Sequence, residues 1–190
     1  TPAGQPARDY LARRQLTAQT VTRFGLGFAP DTWDSLVRAM KALGYSEQEL
    51  FDGGLVRHGR SGGVYDTFRN RLMFPVIDVR GNVIGFSGRI LGDGEPKYMN
   101  SPETIVFSKS HNLFALNLAK KSKCGYIILA EGNIDVASLH QAGFDSAVAS
   151  LGTSLTPEQA RLLSRYTSEI VIAYDNDGAG QKASQRAIGI

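Results

Sequence analysis

The chain has 190 residues, 42% of them hydrophobic and 21% charged, with 21 Lys/Arg against 18 Asp/Glu; that suffices for one large domain or two small ones, each with its own core. One cysteine, Cys124, and three scattered histidines, His58, His111 and His140, exclude a disulfide framework and an internal Cys/His zinc cluster. The longest apolar runs, residues 126–130 and 170–174, are far short of the roughly 20 residues of a membrane-spanning helix, and no basic-then-apolar leader opens the chain, so a reduced cytoplasmic protein is expected.

Residues 8–23 read as helical, with Tyr10, Leu11 and Leu16 apolar and Thr17 capping a second short helix. Trp33, Leu36, Val37 and Met40 recur at helical spacing and predict a helix over 32–43 that ends at Gly44. Residues 46–51 predict another, closed by Gly53-Gly54. The pattern then becomes extended: 71–79 and 83–86 read as strands joined by the turn Arg80-Gly81-Asn82, hence a hairpin. Residues 92–102, rich in Gly, Pro and polar side chains, read as an exposed loop. A short helix falls within 107–121, and Lys120-Lys121-Ser122-Lys123 reads as a linker.

From Gly125 the rhythm is regular. Strand 126–130, helix 134–142 and strand 147–150 are followed by a helix opened by Thr156-Pro157-Glu158-Gln159, which supplies an N-cap, a first-position proline and a capping-box Gln. Strand 170–174 and helix 179–188 complete a βαβαβα series, which predicts a parallel sheet with strands buried between helices. The fold class is therefore α/β, a mixed basic subdomain over 1–122 followed by a parallel sheet domain over 123–190. The chain opens on Thr1 and a helical pattern still runs at Ile190, so a fragment is expected.

Charge is unevenly spread. Residues 1–122 hold 16 Lys/Arg against 11 Asp/Glu, and residues 123–190 hold 5 against 7. A basic half joined to an acidic one suits a polyanion on one side and cations on the other. Open α/β sheets bind ligands beyond the carboxyl ends of their strands. Here one strand runs into Glu131-Gly132 and another into Asp175-Asn176-Asp177-Gly178, so Glu131, Asp175 and Asp177 are expected to converge, with Asp135 one helical turn after Glu131.

Close carboxylates repel, and a hard divalent cation supplies the counter-charge while keeping waters for a phosphate to replace. Two such ions would activate a hydroxyl and stabilise a leaving pyrophosphate. The competing use of each acid is a helix N-cap or first-turn residue. That use weighs at least equally for Asp135; for Glu131, Asp175 and Asp177 together the metal reading is preferred. Asp175-Asn-Asp-Gly begins like an EF-hand loop, but Ala179 and Arg186 stand where an oxygen ligand and a Glu belong. Gly178-Ala-Gly180-Gln-Lys-Ala183 matches the dinucleotide fingerprint G-x-G-x-x-A, a weaker alternative because two aspartates precede the glycines.

In the basic half, Arg69 and Arg71 are two apart and share a face if that stretch is extended. Arg89 ends the next strand, Lys97 and Asn100 sit on the following loop, and Lys109 lies beyond; such groups suit triphosphate and nucleic-acid phosphates. Phe68 and Tyr98 are candidates to stack on bases.

Four stretches carry a family resemblance: Phe68-Arg-Asn-Arg-Leu-Met-Phe-Pro75 with Val83-Ile-Gly-Phe-Ser-Gly-Arg89; Pro96-Lys-Tyr-Met-Asn-Ser-Pro-Glu-Thr104; Glu131-Gly-Asn-Ile-Asp-Val136 with Ala147-Val-Ala-Ser-Leu-Gly-Thr-Ser154; and Tyr174-Asp-Asn-Asp-Gly-Ala-Gly180. Over nearly its whole length the chain resembles the RNA polymerase core of bacterial replicative DNA primase. The resemblance implies a basic α/β subdomain joined near residue 123 to a toprim (topoisomerase–primase) domain. It implies synthesis of short RNA primers on single-stranded DNA from ribonucleoside triphosphates, with Mg²⁺ or Mn²⁺.

By the same resemblance Glu131, Asp175 and Asp177 match the toprim metal ligands and Asp135 the acid that follows. Arg89, Lys97, Asn100 and Lys109 match residues lining the nucleotide and template cleft, and Arg14 matches an arginine near the start of the core, although Gln15 stands where glycine is usual. Asn133-Ile134 replaces the usual Tyr-Met, Ser87 replaces a glycine, and Gly178 stands where Arg is frequent. The family's last acidic motif, its amino-terminal zinc domain and its carboxy-terminal domain, through which the replicative helicase binds, are absent from this chain. Rival readings are another toprim enzyme, a topoisomerase or nuclease, and a non-catalytic single-stranded-DNA-binding module.

Overall fold

The computed structural model describes residues 1–190 apart from Ser61 and Thr153, so Thr153 of the Ala-Ser-Leu-Gly-Thr string lies outside the described residues. Helix α1 (Gln5–Arg13) begins on Pro6 and buries Ala7, Tyr10 and Leu11, spaced to share one face. It stops at Arg14 because Gln15 is left-handed, with φ 57°. Thr17 then caps α2 (Ala18–Phe24) by accepting from Thr20 N, and Gly25 ends it at φ 63°.

The left-handed region costs an L-residue about 1–2 kcal/mol, and glycine is free of that clash. Gln15→Gly should therefore raise stability by about 1 kcal/mol, read as a higher urea midpoint at unchanged slope. A lowered midpoint would argue against strain at this position. The Gln15 carbonyl accepts from Gln141 Nε2, and the substitution keeps that carbonyl.

Strand β1 (Gly27–Ala29) leads to α3 (Ser35–Ala42) and α4 (Glu47–Asp52), the latter opened by a Ser46/Glu49 capping box. A short hairpin of β2 (Val56–His58) and β3 (Val64–Asp66) follows. The buried Asp66 carboxylate accepts from Leu36 N and Val37 N, so β3 caps α3 in place of Asp34. Val37, Leu50 and Val56 form a small core beneath these elements.

The expected hairpin is present as β4 (Arg71–Ile77) and β5 (Val83–Ile90), with Asp78 accepting from Arg80 N and Asn82 N in its turn. Strand β6 (Tyr98–Asn100) pairs with β5 inside the segment expected to be an exposed loop. The first sheet has the order β1-β4-β5-β6, antiparallel throughout.

Next come β7 (Leu113–Phe114), α5 (Leu116–Ala119), β8 (Ile127–Ala130), α6 (Asn133–Gln141), β9 (Ala147–Ser150), α7 (Pro157–Leu163), β10 (Ile170–Ala173) and α8 (Gly178–Ile188). The second sheet has the order β10-β8-β9-β7. Strands β10, β8 and β9 are parallel as expected, and β7 adds an antiparallel edge. Strands β8 and β9 are fully buried, whereas β10 is an edge strand with Ile170 and Val171 exposed. Burial on both faces thus holds for two of the three expected strands. No helix among the described residues is long and apolar enough to cross a membrane.

One apolar cluster runs through both sheets. It joins Tyr10, Leu72, Phe74 and Val76 to Phe114, Ile128, Ala130, Ala147 and Ala149, and Phe74 meets Phe114 edge-on at 6.0 Å. Polar ties reinforce it. Gln141 accepts from Thr17 N and Thr20 Oγ1, and Asn100 Nδ2 donates to Leu151 O at 2.5 Å. The two sheets are therefore held at a fixed distance, with a cleft between β6 and the carboxyl ends of β8, β9 and β10.

Candidate active-site cleft

The cleft has a volume of about 500 Å³. Its acidic wall carries Glu131, Asp135 and Asp175; its basic wall carries Arg14, Lys97 and Asn100. Residues separated by more than a hundred positions in sequence thus face one another across solvent.

On the acidic wall, Glu131 and Asp175 leave the tips of the neighbouring strands β8 and β10, and Glu131 Oε2 accepts from Asp175 N at 3.1 Å. Asp135 sits in the first turn of α6 and accepts from Gly132 N at 3.0 Å, the first-turn use weighed against a ligand role. Lost hydration, and then the negative charge of Asp175, push its carboxyl above the usual aspartate range. The same two causes, with Glu131 as the charge, push the Tyr174 phenol up.

At Asp177 one oxygen takes the helix-cap use weighed against a ligand role. Its Oδ1 accepts from Ala179 N and Gly180 N at 2.9 and 2.7 Å, capping α8, and it does not line the cleft. That cap satisfies two orphan N–H groups of the helix start through one oxygen and leaves Oδ2 without a hydrogen bond among the described residues. The acids lining the cleft wall are Glu131, Asp135 and Asp175.

Gly180 explains the dinucleotide-like pattern without a dinucleotide. A Cβ at this position would fall 2.0 Å from Asp175 O, so the helix can lie against the strand end only with glycine there.

On the basic wall, Arg14 and Lys97 are exposed and unpaired: the salt bridges among the described residues, Arg38–Asp34 and Lys41–Glu47, lie elsewhere. Asn100 lines the cleft while its amide ties β6 to Leu151. Arg89 stands beside the cleft, stacked on Tyr10 and Tyr98 with guanidinium carbon to centroid distances of 4.5 and 5.7 Å. Lys109 is exposed but does not line the cleft; its backbone binds Glu103 and Gln159.

Arg69 and Arg71 do not share a face, because Asn70 between them is left-handed at φ 49° and β4 begins only at Arg71. Arg71 is 4% exposed, and its Nη1 donates to Gly88 O and Pro96 O. Its guanidinium anchors the 92–97 loop and is closed to phosphate. Arg69 lies 4.0 Å from the Trp33 ring centroid and 5.1 Å from that of Tyr65, and donates to Asp66 O.

Trp33 was read from sequence as part of a helical face. It precedes α3 and is 65% exposed. The signal against the helix was the turn-forming Pro30-Asp31 just before it and the N-cap Asp34 just after it. Phe68, a proposed stacking residue, is buried and packs edge-on against Phe86, whereas Tyr98 beside the cleft is 40% exposed and Trp33 beside Arg69 is open to a base as well.

Known proteins agree with this geometry. Residues 1–120 match the family model described as DNA primase catalytic core, N-terminal domain, and residues 125–190 match that of the Toprim domain. The chain belongs to the DNA primase catalytic-core family. The DNA primase of Clostridium acetobutylicum is 51% identical over 185 residues, covering 97% of this chain and 31% of that protein. A solved DnaG primase catalytic domain bound to ssDNA superposes with TM-score 0.87 at 42% identity, over 99% of this chain and 61% of that one. The zinc-binding and RNA polymerase domains of Aquifex aeolicus primase superpose with TM-score 0.90 at 38% identity, over 97% of this chain and 46% of that one. The chain spans about a third of the length of the curated primases it matches.

A toprim domain implies a divalent metal. The donor set fits a hard cation: carboxylate oxygens alone, no basic side chain in an ion pair with any of them, and a repulsion between Asp135 and Asp175 that the charge of Arg14 offsets only in part. Among the described residues no group of three His, Cys, Asp or Glu side chains is close enough to hold an ion alone; Mg²⁺ commonly keeps several waters and takes substrate phosphates as further ligands.

Proposed function

We propose that this chain is the primer-synthesising core of a bacterial primase, joining ribonucleotides into a short RNA along a single-stranded DNA template. The observation that carries the reading is the facing of three carboxylates by unpaired basic groups across one cleft. It comprises a basic unit, 1–122, and a toprim unit, 123–190. Glu131, Asp175 and the free oxygen of Asp177 hold Mg²⁺ or Mn²⁺, with Asp135 behind them. When bound, the metal lowers the pKa of the attacking hydroxyl and neutralises charge on the leaving pyrophosphate.

The other roles belong to side chains of this chain. Arg14 and Lys97 hold phosphates of the incoming nucleotide, while the mixed-charge wall orients it. Asp177 fixes the start of α8 beside Asp175. Arg69 and the exposed Trp33 give the template a cation for phosphate and a ring for a base. Helicase and zinc binding are assigned to domains of the longer relatives outside the matched third.

The test is primer synthesis by the intact protein on a single-stranded template with ribonucleotides and Mg²⁺. Short RNA products should appear, vanish with a chelator and return with excess Mg²⁺ or Mn²⁺. DNA binding without nucleotide incorporation would leave a binding module, and template cleavage would leave a toprim nuclease.

A further inference from the structure

Four side chains alternate charge and ring along the basic wall. Arg14 lies over the Tyr10 ring with its guanidinium carbon 5.5 Å from the centroid, and its Nε donates to the Tyr10 hydroxyl at 3.1 Å. Arg89 approaches the same ring at 4.5 Å and continues the stack to Tyr98. Tyr10 itself is 8% exposed, fixed in the main core by α1. One core-anchored ring therefore carries two guanidinium groups, neither in a salt bridge among the described residues.

Each guanidinium keeps donors free. Arg14 uses only Nε, and Arg89 gives Nη1 to Ile90 O at 3.2 Å with no hydrogen bond from Nη2 among the described residues. Two like charges on flexible stems would otherwise separate into solvent, and ordering them at the moment of binding would cost side-chain entropy. A ring quadrupole holds both without neutralising either, as a carboxylate would. An arrangement that leaves two positive charges ordered and without a salt-bridge partner among the described residues is preorganised for an anion.

We propose that Tyr10 is a positioning residue: its hydroxyl and ring set Arg14, and its ring sets Arg89, to receive the phosphates of the cleft's nucleotide. The proposal rests on the nucleotide reading of the cleft.

The test uses the intact protein with Mg²⁺, a fluorescent ATP analogue displaced by ATP for affinity, and primer synthesis for KM and kcat. Tyr10→Phe keeps the ring and removes the acceptor of Arg14 Nε. It should weaken ATP binding about tenfold, the lower end for one charge-assisted hydrogen bond, with the loss in KM rather than kcat and the thermal midpoint retained. Arg14→Ala should weaken ATP at least as much, and adding Tyr10→Phe to Arg14→Ala should cost nothing more, because both remove one interaction. If Arg14→Ala weakens ATP while Tyr10→Phe leaves it unchanged, or if the two effects add, the positioning role is overturned and the cleft reading stands. If Arg14→Ala leaves ATP affinity unchanged, the placement of nucleotide phosphates on this wall falls, and the proposal with it.

Discussion

Glu131→Gln or Asp175→Asn in the intact protein should lower primer synthesis by at least about 10²–10³-fold, the scale of losing one group that stabilises transition-state charge. The fold should remain. Both side chains are exposed, and neither belongs to an apolar cluster. A Gln at 131 still offers an oxygen to Asp175 N, the one hydrogen bond its side chain accepts. Primer yield at matched Mg²⁺, read beside circular dichroism and thermal midpoint, separates chemistry from folding. Near-normal synthesis by both variants would remove these acids from the reaction.

Gly180→Ala should destabilise the protein by about 3 kcal/mol and displace the Asp175 backbone with it. The added carbon meets Asp175 O at 2.0 Å and Asp175 C at 2.9 Å, both main-chain atoms with no rotamer to change. Relief requires α8 to back away from the strand end, although Ala183 and Ala187 are buried along it and Asp177 is committed to its first turn. Gly178→Ala is the control: a Cβ there finds nothing within 4 Å, and the change should stay within about 0.5 kcal/mol. Urea midpoints for the pair measure the difference, and equal midpoints would mean that α8 does not rest on the strand end.

The elements with several residues of pattern were legible. The hairpin around Arg80, the parallel β8, β9 and β10 and the cap at Thr156 follow from alternation, continuous apolar runs and capping chemistry. The short strands were not. β6 is three residues long inside a Gly- and Pro-rich stretch, and β7 is two, so neither shows a period; each exists because a longer strand offers it a free edge. In the cleft, strand-end position identified Glu131 and Asp175, because topology alone brings strand ends together. Arg71 resisted sequence reading because its fate turns on a few tenths of a nanometre: its side chain folds inward onto two carbonyls. Spacing cannot carry that information.

Strand β7 has a bearing on how such proteins are cut and recombined. The two family models divide near residues 120–125, but β7 precedes that division and pairs with β9 beyond it. Phe114 on β7 sits in the apolar cluster that also holds Phe74 and Ala149. A chimera exchanging the acidic half between relatives at the division would therefore inherit β7 from one parent and its strand partner β9 from the other. A crossover moved upstream of Leu113 would keep the pair together. The seam where sequence families are parted is a different place from the seam where this polypeptide can be taken apart.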